Sequence, residues 1–166
     1  MSSPTGFRRA IAASALLTLA LPVLAIKPPK DAAPRFRAKS MDGESFTNDS
    51  LKGKVVLLQF WATWCKYCRG DQPAVDEVAA EFADRGLVVL AVNVGEPRKK
   101  VQKYLEQSPR SCKIVLNEDT NLPAMFAAKA YPLYVLLDRE GNVAGTQNGA
   151  AGADALRRLL RKAELE

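Results

Sequence analysis

Histidine is missing from all 166 residues. Its absence excludes Ser-His-Asp and Cys-His catalytic pairs, His-ligated zinc or haem, and a histidine-based pH switch. Cysteine is scarce: Cys65, Cys68 and Cys112 are too few for a four-cysteine metal site or a disulfide scaffold. Nor is charge of one sign concentrated. The net charge of +6 falls to +4 once residues 1–25, which hold Arg8 and Arg9 and no acid, are set aside. The densest basic run, Arg98-Lys99-Lys100 with Lys103, falls on an expected helix, where a solvated face accounts for it. With no basic stripe carrying aromatic platforms, nucleic-acid binding is not indicated. What is present is a chain 48% hydrophobic, long enough for one domain whose core needs no disulfide staples.

The one long uncharged apolar stretch, Ala10 to Leu24, follows Arg8-Arg9 and ends in Val23-Leu24-Ala25, residues suited to a signal peptidase. Residues 1–25 are expected to be a signal peptide cleaved after Ala25. The alternative is an uncleaved anchor over residues 10–26, the run being close to but below the ~20 residues of a spanning helix. Either way the rest is exported. No cysteine follows the run, so a lipid anchor is not indicated. Residues 26–35 are Pro-rich and polar and read as a linker, which places the domain at 36–166.

Within the domain, Phe36–Met41 and Glu44–Thr47 flank an Asp42-Gly43 turn and suggest a hairpin. Val55–Phe60 is a nearly continuous apolar run of strand length, as in a strand covered on both faces. A helical pattern through Val75, Val78, Ala79 and Phe82 stops at Gly86. Leu87–Val94 is a second buried strand, residues 97–107 a helix opened by Pro97, and Lys113–Leu116 a further strand. A short helix at Leu122–Ala128, strands at Leu133–Leu137 and Val143–Gln147, and a helix at 153–164 complete the chain. This order implies a mixed α/β sheet with helices on both faces.

The informative feature is Cys65-Lys66-Tyr67-Cys68 between a buried strand and a helix. At a helix N-terminus, unpaired backbone N–H groups and the helix dipole favour a thiolate, so Cys65 is expected to be the attacking sulfur. Cys68, one turn on along the same face, can attack a mixed disulfide on Cys65 and release the partner. A permanent disulfide, or half of a zinc site, uses the same spacing. Zinc fits poorly, because Cys112 is the only other soft ligand.

The stretch from Gly53 to Pro73, GKVVLLQFWATWCKYCRGDQP, resembles the active-site segment of the thioredoxin superfamily, and within it is most similar to the exported TlpA/ResA-type disulfide reductases. Further matches are Leu51-Lys52-Gly53-Lys54 after the hairpin, Val92-Asn93-Val94-Gly95-Glu96 before an extra helix, and Tyr131-Pro132 followed by LYVLLDREGNV; together they span about residues 36–164. The resemblance implies an α/β thioredoxin fold: a central mixed β-sheet flanked by helices, with an N-terminal β-hairpin and an inserted strand–helix unit. It implies a redox-active Cys65–Cys68 disulfide, Pro132 as a cis-proline facing it, and a client-binding rim of Trp64, Lys66, Tyr67, Tyr131 and Pro132. In cis, Pro132 would leave the backbone of Tyr131 free to pair with an extended client. The expected partners are exported proteins carrying disulfides or thiols, with a membrane thiol reductant as electron donor, in a bacterial periplasm. No cofactor and no metal is expected. Reduction is the implied direction. An isomerase or oxidase is the alternative within enzymes, and a Cu(I)-handling dithiol protein the alternative outside them, although the lack of His and of a Met-rich stretch argues against copper.

Two positions depart from the pattern. Lys66-Tyr67 stands where the family has Pro before the second cysteine; Lys66 adds positive charge beside Cys65, which favours the thiolate and a more oxidising couple. Similar dipeptides ending in Tyr occur in disulfide isomerases of the superfamily. Gln59 stands where thioredoxin itself has a buried Asp, and Gln takes no proton. Asp71, three residues after Cys68 and on its helical face, is open to two uses: accepting the Cys68 proton, or complementing the dipole of its own helix. Trp64 reads as a solvent-side lid, Trp61 as core, and Cys112 as a small buried hydrophobe.

Overall fold

The computed structural model describes residues 31–165; the expected signal segment and residues 26–30 of the expected linker lie outside the described residues. The elements in chain order are β1 (Arg37–Ser40), β2 (Ser45–Thr47), β3 (Val55–Trp61), α1 (Lys66–Phe82), β4 (Leu87–Asn93), α2 (Arg98–Gln107), β5 (Lys113–Thr120), α3 (Leu122–Met125), β6 (Leu133–Leu137), β7 (Val143–Asn148) and α4 (Gly152–Leu160). They build one mixed sheet in the order β2-β1-β5-β4-β3-β6-β7. β3, β4 and β5 are parallel, while β6, β7, β1 and β2 join antiparallel. The expected mixed α/β thioredoxin architecture is the one observed.

The most apolar runs lie in the middle of the sheet. All seven residues of β3 are buried, because the strand is covered on both faces. Alternation sorts its side chains. Val55 and Leu57, with Leu87, Val89, Tyr134 and Leu136, meet Val75, Val78 and Phe82 of α1 and Leu156, Leu159 and Leu160 of α4. The same face continues as Trp61, Ala91, Ile114 and Leu116 under Val101 of α2. Each of the buried Val, Leu, Ile and Phe side chains contributes about 1.5–3 kcal/mol. Val56, Leu58 and Phe60 point the other way and are covered by Phe36, Phe46, Leu51 and Leu122. The three long helices therefore share one face. The other is closed by irregular N-terminal chain and the four-residue α3, a division that helical periodicity does not encode.

Boundaries differ where the partner is remote in sequence. β5 runs four residues past the apolar Lys113–Leu116 because β1 takes over from β4, with Ala38 opposite Thr120. α3 stops three residues short of Ala128, with Ala127 at φ +46°. Residues 31–35, read from composition as linker, are docked on the domain: Ala33 N–H donates to Gly141 O (3.0 Å) and Val143 N–H to Asp31 O (2.8 Å).

Candidate active site

β3 delivers the chain to Ala62-Thr63-Trp64, and Cys65 then caps α1. Cys65 N–H donates to Ala62 O (3.1 Å), and the Cys68 N–H donates to Cys65 Sγ (3.1 Å). Cys65 and Cys68 form a disulfide with S–S 2.10 Å and Cα–Cα 5.2 Å. Both sulfurs are buried, yet their immediate neighbours are not: Trp64 is 61% and Tyr67 69% exposed. Two large rings are thus left in water beside a hidden pair. Trp61 takes the opposite course, buried with its ring 5.6 Å from Tyr104 and the Arg110 guanidinium 5.4 Å above it.

Tyr131 packs against the cluster that holds Cys65 and Cys68, and its ring meets Trp64 edge-on at 6.1 Å. Its hydroxyl donates to Ala128 O (3.0 Å), and the Tyr131–Pro132 peptide bond is cis. Lys66 stands exposed on the first turn of α1. Of the rim residues named from the sequence, Trp64, Lys66 and Tyr67 adjoin the disulfide along the chain and Tyr131 packs against its cluster.

The loop before Cys65 is fixed from below by a carboxylate that the sequence reading did not single out. Glu96, its side chain 3% exposed, accepts from Thr63 N–H (2.6 Å), Thr63 Oγ1 (2.6 Å), Asn93 Nδ2 (2.8 Å) and Lys100 Nζ (2.8 Å). Burial pushes this carboxyl up, but the hydrogen bonds from Lys100, Thr63 and Asn93 outweigh it and hold the pKa at about 2. The signal available in the sequence was an acid in Gly95-Glu96-Pro97 directly before a helix.

Asp71, 4% exposed, has a use that neither sequence reading gave it. Its carboxylate accepts from Tyr134 Oη (2.5 Å) and from the backbone N–H groups of Ala151 (2.8 Å) and Gly152 (2.7 Å), so it caps α4 rather than its own helix. A polar chain continues inward: Gln59 Nε2 donates to Tyr134 Oη (3.3 Å), and Arg110 Nη2 donates to Gln59 Oε1 (2.9 Å). Arg110 is 1% exposed at its side chain, with Asp76 Oδ1 3.4 Å away. Tyr134 and Arg110 were not foreseen, because Tyr134 lies in an apolar strand and Arg110 in a loop. Cys112 is a free thiol packed, like Tyr131, against the cluster that holds the pair. Burial pushes its thiol up to about 11, with Arg110 opposing and Asp76 reinforcing. Among the described residues no group of three or more Cys, Asp or Glu side chains is placed to hold a metal ion.

A mixed sheet flanked by helices, with a buried Cys-x-x-Cys disulfide at a helix N-terminus, defines a protein of the thioredoxin fold. The chain belongs to the AhpC/TSA family, whose sequence profile matches residues 29–146. It is 32% identical over 111 residues to the thiol-disulfide oxidoreductase ResA of Geobacillus thermodenitrificans, covering 67% of this chain and 64% of that protein. It is 30% identical over 128 residues to ResA of Geobacillus kaustophilus, covering 77% and 74%. The chain thus spans about two thirds to three quarters of the length of these curated relatives. A solved structure, the thiol:disulfide interchange protein of Chlorobium tepidum, aligns with TM-score 0.70 at 26% identity over 83% of this chain and 99% of that one.

Proposed function

We propose that the protein is an exported thiol-disulfide oxidoreductase that reduces disulfides in client proteins. The observation that carries this reading is the Cys65–Cys68 pair at the start of α1, buried between the exposed rings of Trp64 and Tyr67. In the dithiol form, the Cys65 thiolate, favoured by the helix N-terminus and by the charge of Lys66, attacks a client disulfide. One client sulfur leaves and a mixed disulfide forms. Cys68 then attacks the Cys65 sulfur, the second client thiolate leaves, and Cys65–Cys68 is again a disulfide. Two electrons pass to the client, and its two thiolates take protons from solvent. A membrane dithiol donor restores the reduced form. Trp64, Tyr67, Tyr131 and Pro132 hold the client segment, with the Tyr131 backbone as an edge for an extended chain. Asp71 receives three donors, and capping α4 is its resting role; Oδ1, which holds one of them, keeps a lone pair for the Cys68 proton.

Lys66-Tyr67 favours a second reading, an isomerase or oxidase, because a cation beside the thiolate stabilises the reduced form. Trapping and potentiometry test both. Cys68→Ser is expected to accumulate client mixed disulfides and Cys65→Ser to accumulate none. A reduction potential of the couple near −270 mV fits a reductase, whereas one near −120 mV overturns that direction.

A further inference from the structure

At the end of the sheet that carries the disulfide, most acids are engaged. Glu96 and Asp71 are buried and held by four and three hydrogen bonds respectively, and Glu118, itself exposed, and Asp119 at the end of β5 pair with Arg98; exposed Glu106 lies one residue from the far end of α2. The cations are outside. Lys66 and Arg69 on the first turn of α1, Lys99 and Lys103 one turn apart on α2, and Lys129 two residues before Tyr131 are all exposed. None of the five has a carboxylate partner among the described residues; Arg69 donates only to the Thr63 carbonyl, at 3.3 Å. The register places the starts of their elements at one pole, with Lys103 a turn further along α2: Trp61 is opposite Asn93, Phe60 opposite Leu133, and Asn93 opposite Leu116. The loops that follow β3, β4 and β5, and the turn into β6, therefore open on the same side of the sheet as Cys65. Trp64 and Tyr67 share this pole with Lys66 and Arg69, their neighbours along the chain.

We infer that this face selects acidic clients, meaning proteins whose reactive disulfide is flanked by Asp and Glu, and the inference rests on the oxidoreductase reading above. Unpaired exposed cations around a desolvated reaction centre raise the local concentration of anionic segments and accelerate encounter, an effect that salt suppresses. The two rings supply the apolar contact that charge alone does not. An anionic lipid surface would meet the same charges, but laying this face on a membrane would cover the disulfide that the clients must reach.

The test uses the reduced protein and two otherwise identical cystine peptides, one flanked by Asp and Glu and one by Lys and Arg, with hydroxyethyl disulfide as an uncharged reference. At low ionic strength the acidic peptide is expected to react about 10-fold or more faster than the basic one, and the ratio is expected to approach one near 1 M salt. Lys99→Glu/Lys103→Glu is expected to lower the ratio at least several-fold, with Lys99→Gln/Lys103→Gln between. Equal rates at low salt, or a ratio that neither double variant moves, overturns the inference. So does binding to phosphatidylglycerol vesicles without any peptide preference, which assigns the face to a membrane. Failure to react with any of the three disulfides overturns the oxidoreductase reading instead.

Discussion

Tyr134 of β6 donates its hydroxyl hydrogen to Asp71 of α1, and the same carboxylate receives the amides of Ala151, the N-cap of α4, and of Gly152, its first residue. One buried side chain thereby joins a strand and two helices on the face that carries Cys65 and Cys68. Asp71→Ala removes the acceptor for all three donors and leaves the Tyr134 hydroxyl with Gln59 as its one remaining partner. It is expected to cost about 3 kcal/mol. Tyr134→Phe removes one donor and is expected to cost about 1 kcal/mol. Denaturant unfolding of the oxidised protein compares them, and equal losses would refute the capping role.

Glu96 makes stability depend on acid pH. Its carboxyl titrates at about 2 in the folded protein against an ordinary 4.5, so its contribution is complete above pH 4.5 and disappears as pH falls toward 2. The difference is on the order of 3 kcal/mol. Glu96→Gln should therefore flatten the acid limb of a Tm-versus-pH curve. An unchanged limb would show that other carboxylates set it.

Cys112 is expected to stay inert. With its thiol pushed up to about 11 by burial, it remains neutral at pH 8, whereas Cys65 in the reduced protein is the thiolate-prone sulfur. Brief iodoacetamide treatment followed by mass mapping should find the label on Cys65 and not on Cys112. Faster labelling of Cys112 would reverse this order of reactivity.

Trp64→Ala and Tyr67→Ala separate contact from stability. Both side chains are mostly in water, so each substitution should change unfolding free energy by about 0.5 kcal/mol or less. If the rings anchor clients, at least one substitution should lower kcat/KM for a protein disulfide by roughly 30-fold, the scale of about 2 kcal/mol. Wild-type values from both would remove them from the client surface.

Much of this was legible in the chain. The apolar runs at Val55–Phe60, Leu87–Val94 and Leu133–Leu137 mark the centre of the sheet, because a strand covered on both faces has no polar alternation to blur it. Cys65-x-x-Cys68 at a strand–helix junction marks the site for the same local reason. Interactions between remote residues left no such trace. Asp71 and Gly152 are 81 positions apart, Thr63 and Glu96 are 33 apart, and the polar end of β5 is a strand only because β1 returns to pair with it. Arg110 is buried only because Gln59, Asp76 and Trp61 are brought to it.

The docking of residues 31–33 on Gly141–Val143 fixes a direction. The β6–β7 turn lies beside the start of β3, with Leu137 opposite Val56, whereas Cys65 follows the end of that strand. Five residues of strand separate the two levels, roughly 17 Å. A chain arriving from residue 30 thus meets the domain at its stern, while the disulfide rides at the bow. Clients that reach the disulfide therefore meet the pole opposite residue 31, and the first described residues take no part in receiving them.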